Sequence, residues 1–412
     1  MASCFDAIPR YRHSLNTCCI APQRLIFTRI IVVSIFLIFL PVVAAEPMHT
    51  VNLRGGISFT VPLRYGNLRR LGFESETYLG AITCAASDSQ TNTNVLLTKH
   101  RKPFENSFQA LTVYREFVIS RLVNHKNVIR LLDAFTPQAS EQEFEDVYLV
   151  TDRMSGHLGN VPVEYLDHRT LSSLIYQVLS GVYQLHAAGV YHRDLRPSFI
   201  GINTDFSLKI LNFGLPRTSV EGFVSRPGEF YLHYRAPDAI IGMTFEPGKL
   251  DVWSVGCIIG ELLRSIVLFP GTDHIDQLVK IFELLGTPES EYMSRVPSAN
   301  ARVFLDNLPR YEGNSFDEIF PDDVFPPTDP GNVNLRATTA RDLLAKMLVI
   351  DPARRITVED ALRHPYLSVW YDEADVSRGP AAGSYGPEVV EVNRSPAQWK
   401  ALIYEEIERG TP

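Results

Sequence analysis

Apolar positions change their period several times along the chain. Leu171, Leu174, Ile175, Val178, Leu179, Val182 and Leu185 recur at helical spacing, and Gly189 offers the stop. A second apolar helix is predicted over 251–264, DVWSVGCIIGELLR. Phe108, Leu111, Tyr114, Phe117 and Leu122 follow a looser helical pattern. Between these lie short runs of β-type residues: TNVLLT at 93–98, VYLVT at 147–151 and SLKIL at 207–211. The body therefore reads as strand-rich first and helical after residue 151. Proline- and glycine-rich stretches at 320–331 and 379–387 read as a loop and a linker. A last helix is predicted near the C-terminus: Ser395 caps it, Pro396 takes its first position, Trp399, Leu402, Ile403 and Ile407 share a face, and Gly410 follows the end.

The first 63 residues read differently from the rest. Residues 30–45, IIVVSIFLIFLPVVAA, are uncharged, follow Arg10, Arg12, Arg24 and Arg29, and end in Val43-Ala44-Ala45. That run is shorter than the ~20 residues that span a bilayer, and Pro41 interrupts it. Two readings stand: a signal-peptide core or short membrane anchor, or a segment without a targeting role. The first would make the chain secretory or membrane-attached; the second leaves it cytoplasmic or nuclear. Asn393-Arg394-Ser395 is the single glycosylation match in the body, and Pro396 after it weakens even that, which leans towards the cytosol.

Composition narrows the function classes. Hydrophobic residues are 45% and charged residues 21% of 412, which excludes a mainly disordered or coiled-coil chain. Acids outnumber bases, 47 to 39, so generic nucleic-acid binding is disfavoured. Of five cysteines, only Cys84 and Cys257 lie in the body, and neither has a metal-ligand spacing.

Candidate chemistry concentrates in one ordered set. Tyr191-His192-Arg193-Asp194-Leu195-Arg196-Pro197 precedes SLKIL, and Asn212-Phe213-Gly214 comes directly after it. Tyr234-Arg235-Ala236-Pro237-Asp238 and Asp251-Val252-Trp253-Ser254-Val255-Gly256 follow. In this order and spacing the set resembles the eukaryotic protein-kinase signature over residues 64–371. LFPGTDHIDQLVKIFELLGTP (268–288) and the tail WKALIYEEI are similar to mitogen-activated protein kinases, most of all to the c-Jun N-terminal (stress-activated) group. The resemblance implies an α+β, two-lobed fold. A small β-rich lobe would cover about 64–153 and a larger helical lobe about 154–371, with a linker and helix over 372–412. ATP and magnesium would sit between the lobes.

Phosphoryl transfer is mostly positioning and charge neutralisation, so each part can be checked against the residue that stands in its place. The glycine-rich loop should follow Leu71-Gly72, but only Gly72 and Gly80 remain, and Glu74 and Glu76 add negative charge there. Val95-Leu96-Leu97-Thr98 stands where the family has its lysine strand, so Thr98 takes the lysine's place. Lys99 is adjacent, but successive strand side chains face opposite ways; a one-residue slip would be needed to bring it inward. Glu116 matches the helix glutamate and has either its family role or that of a polar helix face. Thr151 matches the gatekeeper and Met154 the hinge.

In the catalytic loop, Asp194 is retained as the group that orients the hydroxyl, with Arg196 in place of a phosphate-contacting lysine. His192 and Arg193 have packing and positioning roles in the family. Phe199 replaces the metal-binding asparagine, and Asn212 replaces the metal-binding aspartate, keeping one oxygen without the charge. The phosphorylated Thr-Pro-Tyr switch of the family aligns with Arg226-Pro227-Gly228, which carry no phosphoacceptor. Scaffold residues persist: Asp238 and its expected partner Arg355. Asp372, Glu373 and Asp375 match the acidic side of a groove for basic-apolar docking peptides, or are a solvated loop.

Two functions follow as expectations. One is a pseudokinase that works by binding or scaffolding signalling partners. The other is a working ATP-dependent Ser/Thr kinase with unusual residues, supported by Asp194.

Overall fold

Alternation along TNVLLTKH sends Val95 and Leu97 to one side of a strand and Thr98 and His100 to the other, and that division organises the first lobe. A computed structural model describes residues 46–71, 81–162, 166–213, 232–243, 246–373, 376 and 394–410. These belong to the compact unit Glu46–Pro412.

Two strands, β1 (Met48–Leu53) and β2 (Ile57–Pro62), form a hairpin. A five-stranded antiparallel sheet follows, made of β3 (Tyr65–Arg70), β4 (Ile82–Asp88), β5 (Thr93–His100), β6 (Leu131–Phe135) and β7 (Val147–Asp152) in the order β3-β4-β5-β7-β6. Phe59 and Val61 of the hairpin close over its outer face, joining Val95, Leu97, Tyr148, Val150 and Cys84 in one apolar cluster. The hairpin thus belongs to the compact unit, although it precedes residue 64, where the sequence reading begins the kinase-like body. A two-strand signal of six residues each, with polar alternates, is weak by pattern alone.

The inner face of the sheet receives helix α1 (Ser107–Leu122), whose N-terminus is capped by Asn106 Oδ1 accepting from the Gln109 amide at 2.9 Å. The C-terminal helix Pro396–Glu408 packs on α1. Ser395 caps it as the sequence predicts, Gln398 completes a capping box, and buried Trp399 lies 5.2 Å from the Tyr114 ring. Arg121 donates to Glu406 at 2.9 Å on the same contact.

The second lobe is built on two long helices, α2 (His168–Ala187) and, after the short α3 (Pro237–Ile240), α4 (Pro247–Arg264). The predicted periodicity of α2 is realised, with Leu171, Leu174, Leu179, Val182 and Leu185 all buried. Gly189 has φ 77°, a left-handed value that suits glycine at a helix end. β9 (Ile200–Ile202) and β10 (Leu208–Ile210), which fall between α2 and α3 in the chain, form a small sheet with β8 (Gly156–His157), which precedes α2; the order is β10-β9-β8. The loop predicted at 320–331 contains one 3-10 turn, Asp322–Val324.

Candidate active site

Pairing of β9 with β10 fixes the geometry of the cleft floor. Ile200 faces Ile210, and the Leu211 amide donates to the Phe199 carbonyl at 2.9 Å. Phe199 is therefore held opposite Leu211, the residue before Asn212, at the start of β9 and the end of β10. Asn212 has φ 64°, a left-handed value that asparagine tolerates better than most side chains. Gly201 lies under Met154: a Cβ there would stand 2.5 Å from the Met154 Cγ, so only glycine fits. This places the hinge residue against the floor.

The loop from His192 to Arg196 is clamped by a carboxylate from α4. Asp251 is fully buried. It accepts from the His192 amide at 2.9 Å, the Arg193 amide at 2.7 Å and His186 Nε2 at 2.7 Å. Burial by itself would raise its carboxyl, but the hydrogen bond and charge of His186, the charge of His192 and the Arg193 amide together hold it below the ordinary value. The clamp holds Arg193 at φ 62°, an unfavourable conformation for a side chain of its size. His192 donates from Nε2 to the Leu211 carbonyl at 2.9 Å, and burial pushes its imidazole below the usual range. It ties the loop to the strand that ends at Asn212.

Beyond the clamp the side chains differ from what metal-assisted transfer requires. Arg196 Nε lies 4.0 Å from Asp194 Oδ2, and its guanidinium carbon is 3.8 Å from the centre of the Phe199 ring. Both charged side chains remain slightly open, 20% and 15% exposed. As a donor set for magnesium these positions do not fit. Magnesium prefers several hard anionic oxygens, whereas Asn212 offers one neutral carbonyl and Phe199 offers none.

On the sheet side, Thr98 is buried and pairs with Thr83 on β4 and Leu149 on β7. Lys99 points to the opposite face. Its Nζ lies 3.2 Å from Asp146 Oδ1, donates to the Ser58 carbonyl at 3.2 Å, and sits 5.3 Å from the Tyr148 ring centre. The register slip that would turn Lys99 inward is therefore not adopted. The outer cluster of Val95, Leu97 and Tyr148 fixes the register, because a slip would put Leu96 and polar Thr98 in the places of Val95 and Leu97.

His100 emerges from the same face as Thr98, with Nε2 at 3.5 Å from Glu116 Oε2 of α1. That is ion-pair distance without hydrogen-bond geometry. Burial lowers the His100 imidazole to about 4 and raises the Glu116 carboxyl to about 7. A quarter of the Glu116 side chain still reaches solvent, which relieves part of that penalty. The polar-face alternative for Glu116 is thus not what the fold presents; the carboxyl meets an imidazole. The sequence reading overlooked His100. The signal was there, since period two puts residues 98 and 100 on one face.

The remaining predicted positions are placed as follows. Leu71 directly follows β3 and is half-buried, and Thr151 lies in β7 opposite Leu96. Asp238 and Arg355 form a wholly buried ion pair at 2.7 Å. Arg355 also donates to the carbonyls of Lys249, Val349 and Ile350 and lies 5.1 Å from the Trp253 ring. Asp372 and Glu373 are exposed beside α2, where the Trp370 indole donates to Ser172 at 2.9 Å. Gly72, Arg226, Pro227, Gly228 and Asp375 lie outside the described residues, as does the apolar run 30–45. Among the described residues no helix is long and apolar enough to cross a membrane.

Comparison with known proteins agrees with this architecture. Residues 80–367 match the protein kinase domain family. The chain is 48% identical over 363 residues to the stress-activated protein kinase JNK of Drosophila melanogaster, covering 88% of this chain and 96% of that protein. The two-lobed fold, the clamped His-Arg-Asp loop and this likeness lead to one conclusion: the chain belongs to the protein kinases, as a member of the mitogen-activated family similar to c-Jun N-terminal kinases.

Proposed function

We propose that this protein is a stress-kinase-like signalling protein that acts by binding partners, with phosphotransfer largely lost. One observation carries the reading. The lysine position is Thr98, the neighbouring Lys99 is committed to Asp146 on the far face, and His100 stands opposite Glu116. Nothing in this arrangement supplies the sheet-borne cation that holds ATP phosphates in kinases. Phe199 and Asn212 remove metal-binding capacity at the same time. Each such electrostatic loss typically slows a reaction on the order of a hundredfold or more, and such losses are not additive. By contrast the parts that hold the large lobe together are intact, including Asp251, Asp238 and Arg355.

The kinase-like body (64–371) would serve as the binding platform, with Asp372, Glu373 and Asp375 taking basic-apolar docking peptides in the cytoplasm or nucleus. Reversing Asp372 and Glu373 to lysine should abolish capture of such a peptide. Unchanged capture would remove docking from the reading.

A second reading, an active Ser/Thr kinase, is favoured by the retained Asp194 and by the extent of likeness to a named kinase. Incorporation of labelled γ-phosphate into Ser/Thr peptides separates the two. The expected signal equals that of Asp194→Ala. Robust incorporation that this substitution abolishes would establish the kinase and overturn the proposal.

A further inference from the structure

Arg355 gathers a second buried polar cluster. Asp238 and Trp253 are fully buried, and Tyr292 is 3% exposed. Among the described residues, Asp238 Oδ2, Trp253 Nε1 and the Tyr292 hydroxyl each lack a hydrogen-bond partner. Asp238 uses only Oδ1, which accepts from Arg355 at 2.7 Å. The Trp253 ring centre is 5.1 Å from the guanidinium carbon. Tyr292 comes to the same charges from the short helix Ser290–Ser294. Burial, and then the charge of Asp238, raise its hydroxyl against the opposing charge of Arg355, so it stays an O–H donor at neutral pH. A buried tyrosine hydroxyl usually has a partner, because an unmet donor carries its whole desolvation penalty. Here an unmet donor and an unmet acceptor stand near one ion pair without bonding each other.

We infer that the Tyr292 hydroxyl and Asp238 Oδ2 form an internal hydration site, in which one ordered water accepts from the tyrosine and donates to the carboxylate. Water fits because it both accepts and donates, and a buried water typically makes about three hydrogen bonds. The Trp253 Nε1–H offers the third. A cation there would be repelled by Arg355 and an anion by Asp238, whereas a small neutral molecule meets neither penalty. Supply is close at hand. Tyr292 also lines a cavity of about 460 Å³ with Val349, Ile350 and Asp351. Arg355 donates to the carbonyls of Val349 at 2.9 Å and Ile350 at 3.0 Å, so residues that wall the cavity also hold the ion pair. The bridge makes Tyr292 a positioning residue. It ties the helix Ser290–Ser294 to α3, which carries Asp238, in addition to the direct pair of Asp238 with Arg355. The site belongs to the large-lobe scaffold, so its failure would leave the docking and phosphotransfer readings as they stand.

The test is a crystal structure of the full chain at a resolution that shows ordered water. Density for one water within hydrogen-bond distance of both the Tyr292 hydroxyl and Asp238 Oδ2 is expected. A direct bond between those two atoms, or no density between them, would overturn the inference. In solution, Tyr292→Phe keeps the ring and removes the hydroxyl. Magnetic relaxation dispersion of solvent water counts long-lived internal waters, and the variant should hold one fewer than the parent chain. Its melting temperature should fall by about 1–3 °C, as one buried hydrogen-bonded bridge is lost. Equal water counts, or a variant that melts at or above the parent temperature, would each overturn the inference. A loss of the hydroxyl that acted through packing alone would leave the water count unchanged.

Discussion

Asp251 offers the sharpest test of how the catalytic loop is held. In Asp251→Ala, the amides of His192 and Arg193 and the Nε2 of His186 all lose their acceptor. Residue 251 is fully buried, so water does not readily replace it. An orphaned buried donor costs about 1–3 kcal/mol, and two backbone amides are affected; relaxation recovers a part. Arg193 also loses the contact that holds it at φ 62°, and relaxing that conformation, about 1 kcal/mol or more above the ordinary regions, offsets a part of the cost. The expected loss is about 3–5 kcal/mol, a large share of the roughly 5–15 kcal/mol by which domains are stable. Urea unfolding followed by tryptophan fluorescence measures it. Asp251→Asn, which keeps one oxygen, should lose about half as much. The pH dependence has a definite sign. The folded carboxyl is held below its unfolded value, so its contribution is present above about pH 4 and disappears as pH falls through the lower folded value. The deficit of Asp251→Ala should be full at neutral pH and shrink only in acid. A loss under about 1 kcal/mol at neutral pH, with unchanged dependence on urea, would refute the clamp.

Two further outcomes are expected. Glu116 has a folded carboxyl raised to about 7, so its uncharged form favours the fold in acid and that advantage is lost as pH rises from about 4.5 through 7. Glu116→Gln should therefore raise stability by about 2 kcal/mol near pH 8 and by less than about 1 kcal/mol near pH 5, read from urea midpoints; an equal effect at both would contradict an uncharged partner for His100. Trp399→Ala, which empties a buried site against Tyr114, should destabilise by about 3–5 kcal/mol in thermal or urea unfolding, and a change below about 1 kcal/mol would mean that the C-terminal helix is not integral to the first lobe.

Local chemistry made much of this protein legible from its residues alone. The helical repeat of α2, the cap at Ser395 and the alternation in β5 are set by neighbours in the chain, whose spacing alone determines which face they share. The His-Arg-Asp loop and the losses at Thr98, Phe199 and Asn212 are likewise visible as residue types in a fixed order. What the sequence left open were choices between alternatives of similar local merit. Lys99 could turn in or out, and the cluster of Val95, Leu97 and Tyr148 beneath the β1–β2 hairpin decides that it turns out. Glu116 could be a surface residue or a partner, and the approach of α1 to β5 gives it His100. In each case the deciding contact joins segments distant in sequence. Burial then sets its strength, because a charge or ring removed from water depends on whichever neighbour the fold brings to it.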